Sequence, residues 1–508
     1  MPDLMPRPHE VLPQRLAGLL DRLPGARLDG DADTLITGIS HDSRQIRPGD
    51  LYVARAGSHT HGIAHVDAAR AAGAVAVLTD AGSAAAALAS GVEAVVVVAD
   101  VPAVMGAAAA WAYSDPAAAM LLLGVTGTNG KTTTAYLIES GLRAAGRTTG
   151  LIGTIETRVA GEAIPSIRTT PEATDLQALF AVMRERGVDS VAMEVSSHAL
   201  ALGRVDGIDF DVATFTNLSQ DHLDFHTDMA DYFAAKAQLF TAERARHAVI
   251  CIDDSWGEQL FAQVSIPALT VGHAPTADWR QVDDSDAGAQ GGRTTVVDPA
   301  GARHEVRCRL IGAINLTNAA LAYVTLTAAG IDPGLAGAGI AALTAVPGRM
   351  ESIDAGQPFL AIVDYAHTPE AVSTLLAAAQ ALTRGSGRVI VVLGCGGDRD
   401  RAKRPLMGAA AANGADLAIF TDDNPRSEDP RGILAAMIKG VHNDADVVVE
   451  PDRRVAIALA VSKAGPGDVV VVAGKGHETG QEIDGEVFPF DDRVVVRDAL
   501  LADGAGIT

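Results

Sequence analysis

Three cysteines in 508 residues, Cys251, Cys308 and Cys395, form no C-x-x-C pair, which excludes a disulfide framework and a structural zinc site. Aromatic residues make up only 4% of the chain. Alanine, valine and glycine must therefore carry the interior, as suits parallel sheets covered by small-residue helices. Positive charge is scarce as well. Lys and Arg number 40 against 63 Asp and Glu, a net −23, which argues against a nucleic-acid partner that would want a basic face. An anionic ligand held locally by a helix N-terminus and a metal remains compatible with that balance. Long apolar runs are missing too. The opening "MPDLMPRPHEVLPQRL" has no apolar core of signal-peptide length. The most apolar stretch, residues 94–113, is interrupted by Asp100 and Pro102 and reads as strand, turn and helix, not as a membrane span. The expectation is a soluble cytoplasmic chain of several domains.

What is present is alternation. Short β-branched runs, among them 75–80, 94–100, 120–127, 188–197, 212–219, 247–254, 388–398, 416–423 and 468–478, alternate with alanine-rich helical stretches. That predicts α/β units with parallel sheets. Turn signals at "AYSDPAAAM" (112–120) and "TAVPGRMES" (344–352) divide the chain into 1–115, 116–347 and 348–508, and the polar stretch 283–295 reads as a surface loop or hairpin. The polar clusters "GTNGKT", "EVSSH", "TNLSQDHLDFH", "GCGGDRDR", "TDDNPR" and "GKGHE" all follow the C-terminal ends of apolar strands. That edge is where open α/β sheets bind ligands.

The segment "GVTGTNGKTTTAYLIESG" (124–141) has the strand, glycine and lysine order of a phosphate loop, but Val125 stands where the strict G-x-x-x-x-G-K-[ST] pattern needs its first glycine. Lys131 would neutralise β/γ-phosphate charge and the Thr132 hydroxyl would ligate magnesium; the bland alternative is a strand–helix turn with a solvated lysine. Glu194, at the end of an apolar strand, needs a metal, a cation or a cap to compensate its burial. In "TNLSQDHLDFH" (216–226), His222 among carboxylates suits acid/base or metal chemistry, or a helix start with Ser219 as N-cap. "RTTPEATDL" (168–176) reads as a helix start with Pro171 near its first position and Glu172 in its first turn, and Thr169 and Thr170 serve equally as caps or ligand donors. Lys236, in "DYFAAKAQLF" (231–240), reads by sequence physics as an ordinary surface or snorkelling lysine. The motifs "DYAHTPEAV" (364–372), "GGDRDRAKRP" (396–405), "TDDNPRSEDP" (421–430) and "GKGHETG" (474–480) together suggest a pocket of both charge signs. Such a pocket suits a zwitterion, with arginine forking a carboxylate and glutamate facing an ammonium.

Over nearly its whole length the chain resembles the Mur ligases. The resemblance runs from "HDSRQIRPGDLYVARAGSHTHG" (41–62) through "GVTGTNGKTT", "RTTPEA", "EVSSHAL", "FTNLSQDHLDFH", "AAKAQLF", "NLTNAALA" and "VPGRME" to "VDYAHTPE", "GCGGDRDRAKRP", "DNPR" and "GKGHE". It implies a three-domain α/β architecture: an N-terminal UDP-binding domain, a central ATP-binding domain on a P-loop-type parallel sheet, and a Rossmann-like C-terminal amino-acid-binding domain. By resemblance, ATP meets Thr126, Gly127, Thr128, Asn129, Gly130, Lys131, Thr132, Asn318, Arg349, Asp364 and His367. The UDP substrate meets His41, Ser43, Ser58, His59, Thr60, Thr169, Thr170, Ser197 and Arg204, while Leu202 replaces a glutamine common in the family. Lys236 matches a lysine carbamylated by carbon dioxide, which with Glu194 and His222 would hold a second Mg2+ beside the one at Thr132.

The implied reaction is ATP-dependent addition of meso-diaminopimelate to UDP-N-acetylmuramoyl-L-alanyl-D-glutamate through an acyl phosphate, by a monomer. The catalytic set would be Lys131, Glu194, His222 and Lys236. Arg399, Asp423, Asn424, Pro425, Arg426, Gly474 and Glu478 would hold diaminopimelate, with Arg399, Asn424 and Arg426 on its distal carboxylate and Glu478 and the Gly474 carbonyl on its ammonium. Lysine lacks that carboxylate, so buried arginine donors would go unpaired at a cost of roughly 2–5 kcal/mol. The alternatives are a lysine-adding, other Mur or folylpolyglutamate-type ligase, a plain P-loop ATPase or kinase, and a non-catalytic UDP-sugar-peptide binder.

Overall fold

The computed structural model describes residues 6–57, 60–165, 168–286, 288–383, 386–442 and 445–504. Among the described residues three large sheets follow one another along the chain, each built from the β-branched runs and flanked by alanine-rich helices, with two further two-stranded pairs beside them. The first orders its strands Arg27–Gly30, Ala94–Val98, Ala76–Asp80, Asp50–Val53 and Gly38–Ser40. Its first pair is antiparallel and the others are parallel. Strand Ala94–Val98 has every residue buried, and helix Val101–Ala112 follows it, with the Asp100 carboxylate accepting from the Ala103 N–H at 3.2 Å. This is the strand, turn and helix expected of the most apolar stretch. No helix among the described residues is long and apolar enough to cross a membrane.

The second sheet has 11 strands. At its centre the parallel strands Thr149–Ile152, Ser190–Glu194, Leu121–Thr126, Phe210–Phe215 and Ala245–Cys251 lie side by side. Leu123, Val125, Val191, Ala192, Ala213 and Val249 are fully buried there, because helices cover both faces. The sheet is not parallel throughout. Trp279–Asp286, Gly292–Val297 and Arg303–Cys308 form an antiparallel meander at one edge, and Glu156–Val159 and Glu162–Pro165 form a hairpin at the other. Short turns at 160–161 and 298–302 leave no room for the crossover helix a parallel connection needs.

The third sheet orders Glu351–Ser352, Leu360–Asp364, Val469–Ala473, Val389–Leu393, Leu417–Phe420 and Val447–Val449, with all pairs but the first parallel. The last strand in sequence, Val469–Ala473, is inserted between the first two long ones. The loops after Val389–Leu393, Leu417–Phe420 and Val469–Ala473 therefore open side by side at one edge. Beneath them Arg453 and Asp492, both without exposed side-chain surface, form an ion pair at 2.6 Å, and Arg453 also donates to the Ala473 and Asp422 carbonyls.

Two helix starts lie elsewhere than the sequence suggests. The helix after "RTTPEATDL" spans Ala173–Glu185, so Pro171 and Glu172 precede it, and the Glu172 carboxylate pairs with Arg55 and Arg204 instead of capping. No helix starts at Ser219. The next one spans Met229–Ala237 and is capped by Asp228, which accepts from the Asp231 N–H at 2.8 Å.

Candidate active site

The loop between strand Leu121–Thr126 and helix Lys131–Ala144 turns at two glycines with positive φ, where a side chain would be strained. Gly127 has φ 148°, and a Cβ there would fall 1.9 Å from Thr216 Oγ1; Gly130 has φ 85°, and its Cβ would fall 2.4 Å from Asn318 Oδ1. Val125 is a fully buried strand residue. The bend therefore begins two residues later than in the strict pattern, which is why valine is tolerated there. The Thr128 and Asn129 N–H groups donate to Asn217. The helix start at Lys131 is left as the anion-facing end. Thr126 is buried with its hydroxyl unpartnered, and it does not line the cleft.

Lys131 and Lys236 meet on one atom. Each Nζ donates to the Gly127 carbonyl at 2.8 Å, and Lys131 also donates to the Thr128 carbonyl at 2.9 Å. Lys236 is only 1% exposed, and its Nζ lies 4.6 Å from the centre of the Tyr232 ring. Burial, followed by the charge of Lys131, holds its ammonium well below the usual lysine range. The surface-lysine reading of position 236 is thus overturned. Helical periodicity cannot report that a loop 109 residues earlier closes over the side chain.

Glu194 is fully buried and is compensated by hydrogen bonds: Thr132 Oγ1 at 2.9 Å, Thr154 N–H at 2.8 Å and Thr154 Oγ1 at 3.1 Å. His222 adopts φ 54° and is half exposed beside Asp221. Burial pushes its imidazole down to about 4, against the opposing pull of Asp221. Thr132 and Glu194 offer the hard oxygen donors that suit magnesium. Among the described residues no trio of His, Cys, Asp or Glu is disposed to hold a metal. A magnesium at Glu194 and His222 would therefore draw its remaining ligands from outside that residue set, from water or phosphate oxygens among others.

Glu194, Thr132, Lys131, His222 and Lys236 line a cleft of about 570 Å³ whose opposite wall comes from the third sheet and the chain leading into it. Arg349 crosses over, with its guanidinium 4.6 Å from the Tyr365 ring centre and Nη2 at 3.5 Å from Thr132 Oγ1, and its Nε is buried without a partner. Asp364 accepts from the Met350 and Ala366 N–H groups, each at 2.7 Å, and burial raises its carboxyl. His367 Nδ1 lies 2.9 Å from the Tyr365 carbonyl, and burial lowers its imidazole. Asn318 donates to Asn315 Oδ1 at 2.9 Å. Asn318, Arg349, Asp364 and His367 thus share one cleft with the phosphate loop.

The four motifs of the C-terminal part converge at the edge of the third sheet. Asn424 Nδ2 donates to Glu478 Oε2 at 2.9 Å. Lys475, fully buried, donates to the same oxygen and to Asn424 Oδ1, each at 2.9 Å, and lies 3.6 Å from Asp423. Asp423 is buried, and its Oδ1 faces the Lys475 ammonium without a hydrogen bond. A Cβ on Gly396 would lie 3.1 Å from Arg426 Nη1 and 3.7 Å from Arg399 Cγ, so both arginines flank that glycine, and Arg399 stands exposed at the rim. The Pro425 carbonyl packs against Gly397, and Gly474 (φ 110°) faces Asp423 Oδ2. Arg426 is held at φ 53°, its Nη1 donating to the Gly397 carbonyl at 2.8 Å and its Nε to Glu482 at 3.1 Å. Among the described residues, four of the nine non-glycine positions with positive φ, His222, Met350, Asp398 and Arg426, lie in the cleft or in these loops, the kind of strain that gathers at functional sites.

The remaining candidates lie on segments that join strands of the first and second sheets. Thr169 and Ser197 reach the cleft, and Ser197 Oγ is 3.0 Å from His226 Nε2. Thr170 is fully buried and holds the turn by donating to the Glu194 carbonyl at 2.9 Å. Arg204 pairs with Glu172 at 2.9 Å, and its Nε is unpartnered. His41 Nδ1 lies 2.7 Å from Thr174 Oγ1, joining the first sheet to the second. Ser43 opens a short 3-10 turn capped by Asp42, Thr60 is exposed, and Leu202 ends helix Ser197–Ala201. Ser58 and His59 lie outside the described residues. Sequence reasoning missed Thr154, Asn217, Lys475 and Glu482. Only Lys475 carried a signal, as a lysine between two glycines ahead of Glu478.

Models of three Mur ligase parts match the chain: "Mur ligase family, catalytic domain" at residues 35–122, "Mur ligase middle domain" at 125–326 and "Mur ligase, glutamate ligase domain" at 348–476. A UDP-N-acetylmuramoyl-L-alanyl-D-glutamate–2,6-diaminopimelate ligase of Streptomyces avermitilis is 54% identical over 97% of this chain and 98% of its own. The Corynebacterium glutamicum protein of the same name is 48% identical over 92% of each. A solved structure of a ligase of that name superposes with a TM-score of 0.68 at 33% identity, covering 97% of this chain and all of the other. The MurF ligase of Thermotoga maritima, solved with ADP, shares the fold at 18% identity and a TM-score of 0.61 over 92% of this chain and 96% of its own.

Proposed function

The chain belongs to the Mur ligase family, and from that premise we propose that it is the ATP-dependent ligase joining meso-diaminopimelate to UDP-N-acetylmuramoyl-L-alanyl-D-glutamate in cytoplasmic peptidoglycan precursor synthesis. The observation that carries this reading is a phosphate loop and a pocket of both charge signs at the edges of two neighbouring sheets, with one cleft leading from the loop. Domain boundaries near residues 115 and 347 suit that division of labour, with the UDP moiety on the first sheet at His41, Ser43 and the 58–60 stretch. The enzyme is taken to act as a monomer.

In the reaction, the D-glutamate carboxylate attacks the γ-phosphoryl group of ATP, giving an acyl phosphate and ADP. The diaminopimelate amine then attacks the acyl carbon, phosphate leaves, and the new amide nitrogen loses a proton. The first step brings two anions together. Lys131, Arg349 and the start of helix Lys131–Ala144 lower that repulsion, and the cleft supplies orientation. Magnesium, at Thr132 and Glu194 and again at Glu194, His222 and carbamylated Lys236, would add charge screening and hold the phosphoryl oxygens. Carbamylation requires a neutral amine to attack carbon dioxide with release of a proton. The environment of Lys236 favours the neutral amine.

Amide formation and ADP release should be measured with the UDP substrate and, in turn, meso-diaminopimelate and L-lysine. Turnover with diaminopimelate is expected. Preference for lysine would overturn the substrate assignment, and phosphate release without the UDP substrate would leave only an ATPase.

A further inference from the structure

Strand Gly480–Ile483, half of a hairpin with Glu486–Pro489, is stitched to the turn that carries Arg426. Gln481 Nε2 donates to the Asp423 carbonyl at 2.7 Å, and the Glu482 N–H donates to Asn424 Oδ1 at 3.0 Å. The Arg426 N–H donates to the Glu482 carbonyl at 3.0 Å, and the Asp484 N–H to the Arg426 carbonyl at 2.8 Å. The backbone of Glu482 is therefore fixed. Its side chain is not: it is 40% exposed, and among the described residues its carboxylate has one partner, Arg426 Nε at 3.1 Å.

A guanidinium grips a carboxylate with two parallel N–H bonds along an edge. On Arg426 the Nε edge is held by Glu482, and Nη1 of the other edge already donates to the Gly397 carbonyl. An arriving carboxylate meets an arginine that already has one. We propose that Glu482 is a specificity-determining residue of the amino-acid pocket: its carboxylate stands in on Arg426 for the distal carboxylate of the amino acid, and swings toward solvent when that group binds. The proposal rests on the reading of this pocket as the diaminopimelate site.

Two effects of opposite sense follow. Diaminopimelate must displace Glu482, which weakens its binding. Lysine has no distal carboxylate, leaves the pair intact and does not strand Arg426. The penalty expected from unpaired arginine donors is thereby relieved, and discrimination is smaller than the sequence suggests. An exposed pair is weak, so the effect is about two- to fivefold in each direction.

The test is steady-state kinetics of Glu482→Gln and Glu482→Ala, with ATP and the UDP substrate saturating. Glu482→Gln retains side-chain volume on a half-exposed position, and the hairpin's main-chain bonds are untouched. The KM for diaminopimelate should fall about two- to fivefold in both variants, with the change absent from kcat and from the KM for ATP. The ratio of kcat/KM for diaminopimelate over lysine should rise by at least the same factor. In an Arg426→Ala background the effect on KM should vanish, since nothing is left for Glu482 to occupy. An unchanged or raised KM in Glu482→Gln would mean that Glu482 only orients Arg426, and overturns the proposal. A wild-type enzyme that does not turn over diaminopimelate would instead refute the functional reading itself, a separate result in the same assay.

Discussion

Replacing Lys131 by methionine should change the chemistry of a different residue, Lys236. Both Nζ atoms lie 2.8 Å from the Gly127 carbonyl oxygen, so they are less than about 6 Å apart. At an effective dielectric of about 20 the repulsion between two unit charges at that distance is about 3 kcal/mol, close to two pKa units. The Gly127 carbonyl and Asp221 stay in place in Lys131→Met, so removing the cation alone should raise the Lys236 pKa. The sign follows from the chemistry. Only the neutral amine attacks carbon dioxide, and in the wild type burial together with Lys131 already holds the ammonium far below its ordinary range. On that reading carbamate should form at a pH where an exposed lysine would be fully protonated. Removing Lys131 raises the Lys236 pKa and moves the onset of carbamylation to higher pH by the same amount. The assay is the intensity of the carbamate signal in isotopically labelled bicarbonate as pH is varied, without nucleotide, for the wild type and Lys131→Met. A carbamylation midpoint that stays put, or moves to lower pH, would refute the electrostatic coupling of the two lysines.

Lys131→Ala should lose ligation by at least about a hundredfold yet bind the UDP substrate with unchanged affinity in calorimetry, because its pocket is assigned to the first sheet. Equal loss of that binding in a folded variant would contradict the assignment. Arg426→Ala should lower the diaminopimelate-to-lysine ratio of kcat/KM by about 10- to 100-fold, as it removes a charged donor only diaminopimelate uses. A ratio that stays constant would reduce Arg426 to a turn residue. Arg453→Met should cost about 3–5 kcal/mol in denaturant unfolding, since Asp492 would be left fully buried without its cation. A loss below about 1 kcal/mol would show that the pair is dispensable.

The sequence by itself determined the kind of layer, parallel sheets covered by small-residue helices, and the strand edge at which the polar clusters fall. Val469–Ala473 and Val389–Leu393 are buried on both faces, so continuous β-branched runs are all they can be, and the polar residues that follow fall at the strand ends. The phosphate loop was legible for the same reason. Its glycines answer to local backbone conformation and close approach, and both are written in neighbouring residues. The meander at 279–308 was half legible: the stretch 283–295 reads as a surface loop or a hairpin, and which of the two it is, like its antiparallel continuation of the sheet, depends on which strands pair. Only the tertiary structure decided the environments of charged groups. Lys236 lies on a helix whose pattern is that of any surface helix, and its properties come from Gly127 and Lys131, distant in the chain. Glu194 is compensated by Thr132 and Thr154, and Arg426 is already partnered by Glu482 from a hairpin about 56 residues later. Periodicity reports which face of an element is buried. The field at a charge sums over every group that folding brings near it, and no local pattern contains that sum.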